Sequence, residues 1–141
     1  MDQSNPQAQH TQQVPSPKII PKKILMVEDD DDLANVYLMR LKAEGFDIKR
    51  VANGEDALAV ATEYRPDLII LDIMMPIING FDVLDILRNT PETSNMKVVV
   101  LTALSQKSDR DKAESLYVSG YLVKSEVSLN EVIESIKRLL S

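Results

Sequence analysis

The sequence predicts an α/β fold: a doubly wound, five-stranded parallel sheet with helices on both faces, in three layers α/β/α. Three observations predict it. Short apolar runs alternate five times with stretches of helical periodicity between residues 23 and 140. The runs within 67–73 and 96–103 hold continuous apolar stretches, as strands buried on both faces do. Strand–helix alternation also implies right-handed crossovers that lay each helix over the sheet.

The elements follow in order. "KILMV" (23–27) is a first strand with a polar stop. "DLANVYLMRLKAEG" (32–45) is a helix with Leu33, Val36, Tyr37 and Leu41 on one face and Gly45 as its stop. "FDIKRVA" (46–52) alternates apolar and polar, the pattern of a half-buried, edge-like strand. "NGEDALAVATEY" (53–64) is a helix capped by Asn53. "DLIILDI" (67–73) is the buried third strand and "GFDVLDILRN" (80–89) a short helix. "MKVVVLTA" (96–103) is the fourth strand, "SDRDKAESLYV" (108–118) a helix and "GYLVK" (120–124) the fifth strand. "SLNEVIESIKRLL" (128–140) is an amphipathic helix with Leu129, Val132, Ile133, Ile136 and Leu140 on one stripe.

Length and composition bound the function. The 141 residues suit one domain. Lys and Arg number 16 against 22 Asp and Glu, and the net charge of −6 argues against a nucleic-acid surface, which needs a basic stripe. No cysteine is present, which excludes disulfides, thiolate metal sites and a Cys nucleophile. No apolar segment approaches the roughly 18 residues of a membrane span, and the first residues lack the basic start and apolar stretch of a signal peptide. A cytoplasmic protein that binds no membrane is the expectation. Residues 1–21 hold four of the seven prolines and five glutamines, and bury too little apolar area to offset their conformational entropy. They read as a disordered tail carrying the single histidine, His10, with the folded domain at 22–141.

In parallel α/β folds functional groups collect beyond the C-terminal ends of the strands. Here the first strand ends at Glu28-Asp29, the third at Asp72, the fourth at Thr102 and the fifth at Lys124. Three carboxylates, a hydroxyl and an amine should therefore converge. Carboxylate oxygens suit a hard divalent cation of the Mg²⁺ type. A lysine and a hydroxyl beside such a cation suit a phosphoryl group, whose oxygens need charge neutralisation and hydrogen-bond donors. With no Cys and no usable His, the credible nucleophile is a carboxylate, which takes a phosphoryl group as a mixed anhydride. Asp72, on the central strand, is the candidate. A lone Asp at a strand end is more often a helix cap, and Asp30, Asp31 and Asp32 are read that way, favouring the start of the first helix. Neither GxGxxG nor GxxxxGK[ST] occurs.

From Lys22 to Ser141 the chain resembles the receiver domain of two-component response regulators, the family that includes the stand-alone chemotaxis regulator. The resemblance rests on Glu28-Asp29, "LDIMMPIINGFDVL" around Asp72, "VVVLTA" ending in Thr102-Ala103, and "GYLVK" with Tyr121 and Lys124. It implies a flavodoxin-like (βα)5 fold in which Asp72 accepts a phosphoryl group from a sensor histidine kinase or phosphotransfer protein. By the same resemblance Asp29, Asp72 and the Met74 backbone carbonyl bind Mg²⁺ directly, and Glu28 acts mainly through water. Lys124 pairs with Asp72 and then with a phosphoryl oxygen. Thr102 moves to hydrogen-bond the phosphoryl group, Tyr121 follows it inward, and small Ala103 leaves room for the donor. The protein is then a switch rather than an enzyme, one that assists its own phosphotransfer and dephosphorylation and acts on an unknown output protein. It is expected as a monomer or weak homodimer. Because the chain stops in its last helix, no output domain is expected to follow.

The chain departs from the family pattern twice. Receivers usually follow the lysine with a cis proline, where this chain has Lys124-Ser125. A cis bond before serine costs about 3 kcal/mol or more. Receivers usually have Gly-Ala at Tyr117-Val118, and tyrosine is poorly suited to a left-handed helix end. The alternative function is a receiver-fold binding module that works without phosphorylation, but such modules lose the acceptor, acidic pair or lysine, all kept here. A phosphatase of the haloacid-dehalogenase type would need a second Asp where Met74 stands.

Overall fold

The computed structural model describes residues 19–141. Most of the expected tail, including His10, lies outside the described residues. Ile19 and Ile20, which lead into the first strand, are exposed.

Ten elements alternate: β1 (Lys23–Val27), α1 (Asp31–Ala43), β2 (Asp47–Val51), α2 (Gly54–Tyr64), β3 (Leu68–Leu71), α3 (Gly80–Arg88), β4 (Lys97–Thr102), α4 (Lys107–Glu114), β5 (Gly120–Val123) and α5 (Leu129–Leu140). All strand pairs are parallel, and the sheet order is β2-β1-β3-β4-β5. The order reverses between β1 and β3, so the crevice beyond their C-terminal ends is the switch point where such folds bind ligands.

Side-chain alternation divides the core. Ile24 and Met26 of β1 and Ile70 of β3 pack beneath α1 and α5 through Tyr37, Leu41, Val132, Ile133 and Ile136. Their neighbours Leu25, Val27, Ile69 and Leu71 face α2 and α3. Smaller α4 covers the sheet edge near Val100, Tyr121 and Val123 with one buried side chain, Ala113.

Capping follows the sequence closely. Asp30, Asn53, Asn79 and Ser128 each accept a backbone N–H of the following first turn. Ser128 and Glu131 complete a reciprocal capping box that starts α5.

Two local expectations are corrected, and one question the sequence left open, the Lys124–Ser125 bond, is answered. On α1 the buried set is Ala34, Tyr37 and Leu41, while Val36 is exposed, because at about 3.6 residues per turn it falls on nearly the opposite side of the helix from buried Ala34. The helix expected to reach Val118 ends at Glu114, and Tyr117 lies in the left-handed region at φ +60°. The usual glycine conformation is thus kept with a tyrosine in it. Among the described residues no peptide bond is cis, so Lys124–Ser125 is trans and the loop runs without the family's cis turn.

Candidate functional site

Backbone bonds continue beyond the strands and set the site residues side by side. The Glu28 N–H donates to the Val51 carbonyl (3.1 Å), the Asp72 N–H to Val27 (3.1 Å) and the Lys124 N–H to Thr102 (2.8 Å). Glu28 and Asp72 share the parity of Met26 and Ile70, and Lys124 that of Leu122, so these three polar groups lie on the α1/α5 side of the sheet. Thr102 and Tyr121 share the parity of Val100 and lie on the other side.

Lys124 Nζ stands 2.9 Å from Asp72 Oδ2 and 2.9 Å from Glu28 Oε1. The other Asp72 oxygen accepts the Met74 N–H (3.0 Å) and the other Glu28 oxygen accepts the Asp30 N–H (3.1 Å). Glu28 and Asp72 are buried, at 1 % and 4 % exposure, whereas Asp29 is exposed. Carboxylate oxygens of Glu28, Asp29 and Asp72 lie within 4.8 Å of one another.

The charges are imperfectly balanced. Burial raises the Glu28 carboxyl above its ordinary range and nearby Asp72 adds to this, against the opposing pull of Lys124 and the Asp30 amide. Burial alone would lower the Lys124 ammonium, but its bonds to Glu28 and Asp72 outweigh that, and it is held above its ordinary value. An all-oxygen donor set with surplus negative charge fits a hard divalent cation.

The loop that follows Asp72 is tightly fitted. A Cβ on Gly80 would lie 2.5 Å from the Asp72 carbonyl oxygen, so glycine alone fits there, and the Gly80 N–H bonds the Ile73 carbonyl (2.9 Å). The Ile78 N–H reaches back to the Pro76 carbonyl (2.8 Å), closing a tight turn around Ile77 at φ +70°. Beside Asp72, Ile73, Met74, Met75, Asn79, Phe81 and Leu104 line an open depression of about 430 Å³.

Thr102 is fully buried, and its Oγ1 accepts the Leu104 N–H (3.4 Å). Tyr121 is also buried and donates its hydroxyl to the Leu104 carbonyl (2.9 Å), so it already occupies the inward position. Arg110 lies over its ring, 5.0 Å from the centroid. The Leu104 backbone therefore joins the two residues expected to act as the switch. Ala103, between them in sequence, is exposed.

The sequence reading missed two participants. Leu104 acts through its backbone, which no side-chain pattern signals. Arg50 binds the Glu28 carbonyl through Nε (2.8 Å) and Asp31 through Nη1 (2.9 Å). Its signal was present: it stands two residues beyond buried Ile48 on β2 and so shares that residue's inward face. Asp31 is accordingly an ion-pair partner as well as a helix-start residue.

A switch-point crevice holding buried carboxylates, a bridging lysine and a buried threonine defines a class of phosphoacceptor signalling domain. The chain belongs to the response regulator receiver domain family, whose model matches residues 24–137. It is 32 % identical over 121 residues to the polar-differentiation response regulator DivK of Brucella anthropi, covering 86 % of this chain and 98 % of that one. Transcriptional regulators also match, and the chain spans about half of their length. Among solved structures, a putative response regulator from Chloroflexus aurantiacus superposes with a TM-score of 0.79 at 29 % identity, covering 86 % of this chain and 98 % of that one. The Mn²⁺-bound form of response regulator Rcp1 superposes with a TM-score of 0.71 at 29 % identity, over 84 % of this chain and 91 % of that one. Receiver domains bind Mg²⁺ at an acidic site and interact with histidine kinases or phosphotransfer proteins; Glu28, Asp29 and Asp72 form an acidic trio here. Among the described residues no helix is long and apolar enough to cross a membrane.

Proposed function

We propose that Asp72 is the phosphoryl acceptor of a cytoplasmic two-component switch, and that residues 22–141 form its receiver domain. The observation that carries this reading is the Lys124 ammonium bridging Asp72 and Glu28 at 2.9 Å each, inside a carboxylate trio. An Asp72 carboxylate oxygen attacks the phosphorus of a donor phosphohistidine. The P–N bond breaks with its electron pair leaving on the imidazole, and an acyl phosphate forms on Asp72. Attack by water on that phosphorus later releases inorganic phosphate and restores the carboxylate.

Lys124 meets the negative oxygens of the transferred group, and the Thr102 hydroxyl supplies a hydrogen bond to it. Ala103 is small enough to admit the donor. Glu28, Asp29, Asp72 and the Met74 carbonyl would hold Mg²⁺, which when bound neutralises phosphoryl charge. Drawing the Thr102 hydroxyl toward the phosphoryl group releases its bond to the Leu104 N–H. The Leu104 carbonyl and the Tyr121 hydroxyl then shift with it, so a local charge change reaches the surface around α4 and β5. That surface contacts the output protein, and the domain works as a monomer or weak homodimer.

Acetyl phosphate with Mg²⁺ should add one acid-stable, hydroxylamine-labile phosphoryl group, read by mass spectrometry. Asp72→Asn should abolish it. Labelling of Asp72→Asn, or none of the wild type, would overturn the assignment.

A further inference from the structure

We propose that Arg50, a residue outside the phosphoryl chemistry, is a positioning residue that clamps the β1–α1 loop in the shape that turns Glu28 and Asp29 toward a cation; the metal part of this rests on the function proposed above. The guanidinium spans the loop. Nε donates to the Glu28 carbonyl at 2.8 Å, and Nη1 lies 2.9 Å from Asp31 Oδ1. Two further ties act on the same stretch, from the Glu28 N–H to Val51 and from the Asp30 N–H to the Glu28 carboxylate. The anchors therefore fall at Glu28, Asp30 and Asp31, on either side of exposed Asp29.

Stability alone does not account for this arginine. Its Nη2 is buried without a hydrogen-bond partner, an omission that costs about 1–3 kcal/mol. The Asp31 side chain is 80 % exposed, so the ion pair contributes little. A cation beside the N-terminus of α1 also opposes the helix dipole. What the position does provide is a planar fork of fixed geometry, able to hold a backbone carbonyl and a carboxylate at once.

Electrostatics and geometry predict opposite signs, which makes the clamp testable. A guanidinium near a cation site repels the cation, so if charge were its whole effect, removing it would tighten metal binding. If it positions the loop, losing the fork weakens binding. Arg50→Lys keeps the charge and loses the fork, and Arg50→Met loses both. In variants whose circular dichroism shows the native fold, Mg²⁺ measured by calorimetry should bind on the order of tenfold more weakly in both, as for other groups that orient metal ligands. Exchange of the Asp30 amide in metal-free protein should accelerate in both. Unchanged or tighter Mg²⁺ binding in either variant overturns the proposal, as does unaltered Asp30 exchange. Should the wild type bind no Mg²⁺, the metal reading fails separately, and Asp30 exchange alone decides the clamp.

Discussion

Lys124 Nζ lies 2.9 Å from Glu28 Oε1, as close as it lies to the acceptor candidate Asp72. Glu28 is 1 % exposed, so the lysine compensates a carboxylate that water does not reach. Removing one partner of a buried pair strands the other charge, typically at 3–5 kcal/mol. The Lys124 side chain is itself 26 % exposed, which places the expected loss for Lys124→Met near the lower end, about 3 kcal/mol. Urea unfolding of metal-free protein measures it. At the proposed metal site, added Mg²⁺ should restore part of the loss, since a ligand that binds only the folded state stabilises it.

The same pair sets a pH dependence. The Glu28 carboxyl is held above its ordinary 4.5, mainly by burial. The folded state thus binds this proton more tightly than the unfolded state. The stability contributed is full below pH 4.5 and is lost as pH rises through the folded value. In metal-free protein, wild-type stability minus that of Glu28→Gln should therefore decline with rising pH just above the ordinary carboxylate range. A difference that rises with pH would contradict the burial argument. Lys124, held above its ordinary 10.5, acts at the alkaline end: its contribution is present below that value and fades above it.

Tyr117 and Arg88 form a second coupled pair. Tyr117 sits at φ +60° with its side chain exposed, a conformation that costs a non-glycine residue about 1–2 kcal/mol. The Arg88 guanidinium donates to the carbonyls of Leu116 (2.8 Å), Tyr117 (3.2 Å), Met96 (2.8 Å) and Ser94 (3.1 Å). It holds the turn in place from inside, and burial lowers its pKa. Tyr117→Gly should raise stability by about 1 kcal/mol, the released strain being offset in part by glycine's greater freedom in the unfolded chain. Arg88→Met should lose about 3 kcal/mol by leaving carbonyls without a donor. The double variant should lose less than the sum, since a turn that glycine adopts freely needs less holding. Denaturant unfolding of all four proteins measures the coupling.

The fold was legible in the sequence because period-two and continuous apolar runs report burial directly. The site was legible because a parallel sheet carries every strand end to one edge, so Glu28, Asp29, Asp72 and Lys124 could be brought together from spacing alone. Two kinds of information were not legible, and a third, the place of Arg50, rested on a signal that is easily passed over. Val36 has the right spacing for burial, yet which α1 residue meets the sheet depends on the seat that β1, β3 and α5 leave. Leu104 links Thr102 to Tyr121 through backbone atoms that every residue possesses. Arg50 looks like a solvated charge until the parity of Ile48 is carried two residues along β2 and the acidic loop is seen above it.

The receiver domain proposed above begins at Lys22. The first inter-strand bond runs from the Asp47 N–H to the Lys22 carbonyl (2.9 Å), and Ile19 and Ile20 are 91 % and 82 % exposed. A chain beginning at Lys22 keeps that bond and the buried β1 residues. Its melting temperature should stay within about 2 °C of the full chain, a shift equivalent to well under 1 kcal/mol for a domain of this size. A larger fall would show that the preceding residues pack on the domain.

Gly80 gives the most local test of how Asp72, the proposed acceptor, is held. A Cβ there would meet the Asp72 carbonyl oxygen at 2.5 Å and the Ile73 Cα at 2.6 Å, both backbone atoms that cannot swing aside. Gly80→Ala must therefore push the Asp72–Ile73 backbone away from α3 and carry the Asp72 carboxylate with it. Alanine favours the helix by up to about 1 kcal/mol, but forcing atoms into a closed space costs about 1–3 kcal/mol, so a net loss is expected. The Asp72 bonds to Lys124 and the Met74 N–H depend on that backbone position. Phosphorylation by acetyl phosphate should slow at least tenfold, as it does when a reacting group is displaced by about an ångström. Wild-type rates in a folded Gly80→Ala protein would show that the acceptor's position does not depend on this close approach.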